Sequence, residues 1–266
     1  MATFSVVSNI GAANATANLA TSNLGLQKAI QRLSSGLRIN NSGDDAAGLA
    51  VANGYRSSEA VLTQGVQNAG DGLSTLQIKD AALNNISTLL DRLSTLATES
   101  ASSSSGVDRT AINSEFASVL SEIDREASSA GLNSSTAFSV FVSNNGSNGT
   151  VGGTIAAADT TTLGVSGLKA DTAVDAAAAV STLATAVTTL GSTQATVGTL
   201  ENRLNYAISL AQAQIVNNQA AESRIRDANV AQESANLTKY SILNQSGIAA
   251  LAQANQQGAA ILALFR

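Results

Sequence analysis

The chain has 266 residues and a formal net charge of −5, and it contains no Pro, Cys, His or Trp. Without Cys there are no disulfides or thiol nucleophiles, and without His the commonest general base and metal ligand is missing. The acidic balance gives no support for binding nucleic acid. Hydrophobic residues make up 44% of the chain but aromatics only 3%, which favours helices packed through narrow seams over a broad globular core.

The N-terminal segment is predicted to be a helix with a heptad pattern. Apolar residues recur at alternating steps of four and three, which indicates a coiled-coil stripe with one change of register. The stripe consists of Val6, Ile10, Ala13, Ala17, Ala20 and Leu24, followed by Leu26, Ile30, Leu33 and Leu37. Ile39 to Gly43 (INNSG) is turn chemistry and ends the helix. Asp44 and Asp45 are typical of the cap and first turn of a new helix.

A long second helix is expected from Asp44 to about Ser100. At 1.5 Å per residue it would span roughly 85 Å, which suits a rod better than a compact domain. Gly65, Gly70 and Gly72 are expected to interrupt or relax it. A Ser-rich turn follows, and a shorter helix is predicted over 108–129.

The middle of the chain changes character. Phe138, Val140 and Val142 alternate with other residues and precede the Asn- and Gly-rich run 144–149. This pattern predicts a β-hairpin. The Gly- and Thr-rich segment 151–169 is expected to be an exposed loop or a short strand.

From Ala173 the pattern is helical again. We expect the buried stripe to be Val180, Leu183, Val187, Leu190, Gln194, Val197, Glu201, Leu204, Ile208, Ala211 and Ile215. A last stripe runs through Ile248, Leu251, Asn255, Gly258, Leu262 and Phe265. The predicted fold is therefore mainly α: long antiparallel coiled-coil helices from both termini form a rod, with a small β-hairpin in the central segment.

Both ends of the chain are uncharged. Neither 2–27 nor 241–265 contains a charged residue, and the second stretch holds six Asn or Gln residues. That amide content is too polar for a lipid-facing span, so we expect no membrane contact. Two uncharged helices that bury each other in an assembly explain the pattern better.

Several motifs resemble those of bacterial flagellins. They are LSSGLRIN (33–40) and DDAAGLA (44–50) near the N-terminus, and SRIRDAN (223–229), ILNQSG (242–247) and LAQANQ (251–256) near the C-terminus. The resemblance covers roughly the first 130 and last 90 residues and implies a short form without large inserted outer domains. It implies an inner terminal-helix domain from 1–43 plus 226–266, and an outer helical domain over 44–225 with its hairpin at about 137–170.

The resemblance also implies a function and partners. The function would be a structural subunit of the extracellular flagellar filament, which self-assembles into a helical tube for motility, with no enzymatic activity and no cofactor or metal. Its partners would be other copies of the chain, an export chaperone, the type III export apparatus, and the hook-associated and cap proteins. A hook–filament junction protein of the same apparatus is the alternative.

Two sets of site residues follow from the resemblance. The inner-domain assembly residues would be Val6, Ile10, Leu24, Ile30, Leu33, Leu37, Ile248, Leu251, Asn255, Leu262 and Phe265. A vertebrate Toll-like receptor would read the monomer at Arg92, Leu96 and Glu115. The simpler interpretation of the second set is two solvated helix charges and one packed Leu.

Overall fold

The computed structural model describes residues 8–103, 107–143 and 146–263, with the side chains of Ser147 and of 257–263 left aside. The chain forms α1 (Ile10–Ser35), α2 (Ala46–Ala101), α3 (Arg109–Ser129), β1 (Thr136–Phe141), a short 3₁₀ turn, β2 (Thr150–Ile155), α4 (Ala173–Arg226) and α5 (Val230–Ala263). This confirms the mainly α class and the small hairpin.

The chain divides into two compact units. A terminal unit comprises Met1–Ser57 and Asn217–Arg266, and a central unit comprises Ser58–Val216. The domain boundaries at 43/44 and 225/226 implied by the family resemblance refer to roles in a filament, and they stay a prediction, as does the rod shape.

The helix ends follow local chemistry. Gly36, at φ 72°, ends α1 in the left-handed conformation that glycine adopts most easily. The Asp45 carboxylate accepts a hydrogen bond from the Gly48 N–H at 2.8 Å and caps α2, as predicted. Asp108 caps α3 in the same way, because its carboxylate accepts from the N–H groups of Thr110 and Ala111.

Helix α2 is continuous, so the expected interruption near Gly65, Gly70 and Gly72 is wrong. Two of these glycines serve packing instead. A Cβ added at Gly65 would overlap the backbone of Val142, and one added at Gly72 would lie 2.7 Å from Val140 Cγ2. The absent side chains let the hairpin lie directly on α2.

The hairpin has a regular antiparallel register that runs from Thr136 opposite Ile155 to Phe141 opposite Thr150. Its inward face and the helices around it make the core of the central unit. The largest fully buried side chains there are Leu76, Leu83, Ile86, Leu90, Leu93, Leu96, Phe116, Ile123, Leu132, Ile155 and Leu183.

The buried stripe of α4 differs from the predicted one at four alternate positions, while the predicted Ile208 and Ile215 are half-buried against the core. Leu183, Leu190, Val197, Leu204 and Ala211 are buried as expected. The alternate buried positions are one residue earlier than predicted, namely Ala179, Ala186, Thr193 and Leu200 in place of Val180, Val187, Gln194 and Glu201. Three of these four are small, and small residues let helices approach closely, whereas the prediction favoured larger or longer side chains.

Within 151–169 the expected short strand is present as β2, but the rest of the segment is not the exposed loop given as the alternative. After β2 the chain forms a loop whose Ala158, Leu163 and Val165 are buried in the core. The Asp124 carboxylate on α3 accepts hydrogen bonds from the N–H and the hydroxyl of Thr160, at 2.9 and 3.0 Å. These bonds hold the loop over the core of the central unit.

Candidate assembly surface

Helices α1 and α5 pack antiparallel in the terminal unit. Asn244 donates to Asn23, Tyr240 lies over Gly25, and Arg32 pairs with Glu233. Residues later in α1 therefore face residues earlier in α5. The two ends of the chain therefore meet, as the sequence predicted.

Missing side chains allow this close approach. A Cβ added at Gly25 would lie 2.5 Å from Tyr240 Cε1, and one added at Gly247 would lie 3.2 Å from Leu19 Cδ1. Both glycines are in helices, where they cost about 1 kcal/mol relative to Ala. The close packing of Tyr240 and Leu19 offsets that cost.

A short backbone pairing links the end of α1 to the turn between α4 and α5. Leu37 and Asp227 form an isolated β-bridge. The Arg38 N–H donates to the Arg226 carbonyl at 2.6 Å, and the Ala228 N–H donates to the Gly36 carbonyl at 2.9 Å. We call this pairing the clasp. It brings the motif at 33–40 and the motif at 223–229 together.

Ion pairs surround the clasp. Arg32 Nη1 lies 3.1 Å from Glu233 Oε1, and the Glu233 residue is only 8% exposed. Arg38 pairs with Asp45 at 3.7 Å and also donates to the Ile225 carbonyl at 2.7 Å. Because breaking a buried pair leaves an uncompensated charge, the Arg32–Glu233 pair fixes the register of α1 against α5, whereas the Arg38–Asp45 pair is more exposed and contributes less.

Asp44 stabilises the turn before α2. Its carboxylate accepts hydrogen bonds from the N–H groups of Asn41 and Asn40, each at 3.2 Å. These bonds, and the nearby positive charges of Lys28 and Arg32, lower the pKa of Asp44. In the structure Asp44 therefore stabilises the turn before α2, and Asp45 caps the helix.

The terminal pair has almost no core of its own. Among the described side chains of α1 and α5, only Ala29 and Glu233 are buried. Ile10, Leu24, Ile30 and Ile248 are between 50% and 61% exposed. A helix pair with large exposed aliphatic side chains and no charged residue over 2–27 or 241–265 is typical of a surface that another molecule covers.

The remaining predicted assembly residues have mixed positions. Leu33, Leu37 and Leu251 are half-buried, and Asn255 is exposed. Val6, Phe265 and the Leu262 side chain lie outside the described part of the structure. The predicted set omitted Val230, Ile242 and Leu243, which are also exposed aliphatic residues. Two of them, Ile242 and Leu243, could have been found from the motif at 242–247, because they fit neither predicted stripe.

The three predicted receptor residues lie on α2 and α3. Arg92 Nε lies 2.9 Å from Glu115 Oε1, and both side chains are about half exposed. Leu96 is only 2% exposed and packs in the core. The receptor role of the three residues stays a prediction.

Other kinds of site have little support in the described residues. No group of three Asp or Glu residues there could hold a metal ion. By length and composition alone, α4 could cross a membrane, and it is the one described helix that could. Only 28% of that apolar stretch is buried in the structure, although α4 contributes Leu183, Leu190 and Leu204 to the core of the central unit.

Comparisons with known proteins agree with the geometry of the two ends. Residues 6–141 match the bacterial flagellin N-terminal helical region, and residues 180–265 match the bacterial flagellin C-terminal helical region. The chain is 37% identical to the flagellar filament 33 kDa core protein of Treponema phagedenis, over 97% of this chain and 98% of that protein. It is 34% identical to a flagellin of Halalkalibacterium halodurans with the same coverage.

A crystal structure of Bacillus cereus flagellin has 25% sequence identity and a TM-score of 0.48, and it covers 54% of this chain and 88% of that one. The two family regions together take in α1 to β1 and most of α4 and α5. The chain therefore belongs to the bacterial flagellin family.

Proposed function

We propose that the chain is a structural subunit of a flagellar filament and that it polymerises through the α1–α5 pair. The observation that carries the proposal is the exposed aliphatic surface of this pair, which has no charged residue over 2–27 or 241–265. Burying such side chains between copies supplies the free energy of assembly, about 1 kcal/mol for each one covered, because each is already about half buried. A relative named a filament core protein supports this function.

Full-chain variants test the proposal. The double substitution Ile10→Ser and Leu24→Ser removes two exposed aliphatic side chains from the terminal pair, and Ile78→Ser with Val174→Ser removes two from the central unit. We expect the first variant to raise the critical concentration for seeded polymerisation at least about tenfold. The control should change it much less. Equal effects of the two variants would show that the terminal pair is not the main contact.

A truncated chain gives a second test. A fragment of residues 44–225 retains the core of the central unit but lacks both terminal helices. It should stay soluble under conditions in which the full chain forms tubular filaments by electron microscopy. Polymerisation of the fragment alone would contradict the proposal.

We extend the proposal to the partners that the family implies. In this account the chain acts as structure and not as an enzyme, at the surface of the cell. An export chaperone covers the α5 surface before assembly, and the type III apparatus exports the chain. Hook-associated and cap proteins lie at the ends of the filament. Coverage of 98% of a filament core protein supports the filament subunit over the junction protein.

Recognition of the monomer by a vertebrate Toll-like receptor is a further part of the proposal. Arg92 and Glu115 support it, because they are exposed side chains on neighbouring helices joined by an ion pair. Leu96 is buried and would act by holding α2 in place. In a receptor reporter assay, Arg92→Ala should reduce signalling while leaving the unfolding midpoint nearly unchanged. Unaltered signalling would remove this part of the proposal.

A further inference from the structure

Helices α1 and α5 contact each other along one stripe on each helix. Buried and half-buried residues recur on both helices at alternating steps of three and four, which is the spacing of a coiled coil. The stripe of α1 runs through Ala12, Ala15, Leu19, Ser22, Leu26 and Ala29. The stripe of α5 runs through Leu237, Tyr240, Asn244, Gly247, Leu251 and Ala254. Because the pattern repeats every seven residues, a shift by one heptad still leaves one stripe facing the other.

Asn244 is the amide residue in the α5 stripe. Its side chain donates a hydrogen bond to the side-chain oxygen of Asn23 on α1. Leu237 and Leu251 occupy the same position of the heptad, one repeat before and one repeat after Asn244. A shift of α5 by one heptad in either direction therefore places a leucine against Asn23, which loses its hydrogen-bond partner.

Shape alone strongly opposes only one of the two shifts. Gly247 lies against Leu19, because a Cβ added at Gly247 would lie 3.2 Å from Leu19 Cδ1. One shift puts Tyr240 in the place of Gly247, where a ring has no room. The other shift puts Ala254 there, and its single methyl group requires Leu19 to move by only a few tenths of an ångström. Close packing therefore opposes the second shift much less.

The amide pair opposes the second shift. That shift places Asn244 against Ile30, one heptad after Asn23 on α1, and it places Leu251 against Asn23. Both amides lose their hydrogen bond, and Asn244 is half-buried. Removing the partner of a polar group inside an interface costs more than the hydrogen bond contributes when it is formed. A single Asn in the stripe of a coiled coil specifies the register in this way.

The other polar contacts of the pair do not perform this task. The Asn9 side chain donates a hydrogen bond to the Ala254 carbonyl at 2.8 Å. Every residue has a backbone carbonyl, so this contact does not distinguish one register from another. The Arg32–Glu233 ion pair does distinguish registers, but it lies near the clasp.

We propose that the Asn23–Asn244 hydrogen bond selects a single register for the uncharged part of the α1–α5 pair, as a second anchor besides the ion pair near the clasp. The proposal concerns pairing within one chain and does not depend on the proposed function. Asn23 and Asn244 are positioning residues in this account. A leucine at position 244 would add apolar contact to the stripe and remove the preference for one register.

Intrachain disulfides test the register, because the natural chain contains no Cys. Since Leu19 faces Gly247, Ala15 faces Leu251 about one turn farther along both helices. Ala15→Cys with Leu251→Cys therefore reports the observed register, and Ser22→Cys with Leu251→Cys reports the shifted one. Two Cys residues that are one heptad out of register lie about 10 Å apart along the helices, which is too far for a disulfide.

Both reporter chains carry Arg32→Gln and Glu233→Gln, so that the charged pair no longer selects the register. A small fraction of reporter copies is grown into seeded filaments of the natural chain and then oxidised, which makes disulfides between copies rare. Intrachain disulfides are quantified by non-reducing electrophoresis. If the natural chain forms no filaments, the proposed function fails, and oxidation of the dilute soluble chain carries the same test of the register.

With Asn23 and Asn244 in place, the disulfide of the observed register should form at least about tenfold more than the shifted one. Asn244→Leu should reduce this ratio to less than about twofold. Asn255→Leu makes the same change at an exposed position of α5 and should leave the ratio near its original value. Asn23→Asp keeps a side-chain oxygen that accepts a hydrogen bond, so it should keep the ratio as well.

Three results would overturn the proposal. An unchanged ratio in Asn244→Leu would show that the amide is not needed. An equal loss in Asn255→Leu would show that the substitution acts without the hydrogen bond. Similar amounts of the two disulfides with Asn23 and Asn244 both present would show that the amide pair selects no register.

Discussion

Two glycines of α2 allow a test in which one kind of substitution has opposite effects. A Cβ added at Gly65 would lie 2.5 Å from the carbonyl carbon and 2.9 Å from the Cα of Val142. A Cβ added at Gly70, five residues later in the same helix, meets nothing within 4 Å. The Val142 carbonyl oxygen lies nearer still, so Gly65→Ala requires the hairpin to move by more than about 1 Å before contacts reach normal packing distances.

The magnitudes of the competing effects decide the sign. Either substitution gains about 1 kcal/mol, because Ala favours a helix more than Gly. At Gly65 the clash is with backbone, which no rotamer change relieves, so the cost lies near the top of the 1–3 kcal/mol range for overpacking. Retreat of the hairpin would expose Val142, which is now 4% exposed. We expect Gly65→Ala to destabilise the chain by about 1–2 kcal/mol and Gly70→Ala to stabilise it by about 1 kcal/mol.

Thermal unfolding of the monomer, followed by far-ultraviolet circular dichroism, measures both effects. A change of 1 kcal/mol shifts Tm by about 2–4 °C for a chain of this size. The two variants should therefore differ by several degrees, with the natural chain between them. If Gly65→Ala raised Tm as much as Gly70→Ala, the close approach of the hairpin to α2 would be wrong.

Three further predictions concern the core of the central unit. Burial, and the nearby charge of Asp80, raise the pKa of Glu201, whose Oε1 is buried without a hydrogen-bond partner among the described residues. The folded state is therefore favoured most below the unfolded pKa, and its stability falls as pH rises through the folded pKa. The urea midpoint should show this decline, and Glu201→Gln should abolish it. Phe116→Ala, at a fully buried position, should cost about 3–5 kcal/mol in urea unfolding. Lys79 donates hydrogen bonds to the carbonyls of Ala130 and Gly131 at the end of α3. Lys79→Met should therefore lower the free energy of unfolding by about 1–3 kcal/mol. An unchanged value in urea unfolding would show that water replaces the ammonium group.

The start of α2 and the hairpin could be predicted from the sequence because their causes are local, and Asp45 is a good cap wherever a helix begins. The end of α1 was predicted too late, at the turn 39–43. Gly36 ends the helix with a left-handed backbone angle, so Leu37 of the predicted stripe lies outside α1. The alternation in Phe138 and Val140 before an Asn- and Gly-rich run is likewise a short-range signal. None of these features needs knowledge of what packs against the element.

The errors concern contacts between distant segments. In α4 the sequence shows two apolar stripes one residue apart, and only the neighbouring helices decide that Ala186 and not Val187 faces inward. The loop after β2 has a Gly- and Thr-rich composition that conceals the role of Leu163 and Val165 as core residues. Gly65 looked like a helix breaker because its partner, Val142, is far away in the sequence.

Prediction of the candidate assembly surface was limited for the same reason, because the sequence does not show which segments lie in contact. A heptad pattern tells which residues share a stripe, but it does not tell which partner covers that stripe. Ile10 and Leu24 belong to the stripe predicted for α1, yet both are exposed while Ala29 is the residue buried against α5. The pattern therefore does not separate contacts inside one chain from contacts between chains, and the assembly role of these residues stays a prediction.

Along the α1–α5 pair, different parts serve the contacts inside one chain and the proposed contacts between chains. At the clasp, Arg32 with Glu233 and Arg38 with the Ile225 carbonyl join the two ends of one chain, and loss of the buried Arg32–Glu233 pair would be costly. Farther from the clasp, α1 before Lys28 and α5 after Lys239 have no charges. Apolar contacts are non-directional, so they can hold two copies together without specifying one register. The charged groups beside the clasp thus determine how the subunit pairs its two ends, and the uncharged parts of α1 and α5 remain available for assembly.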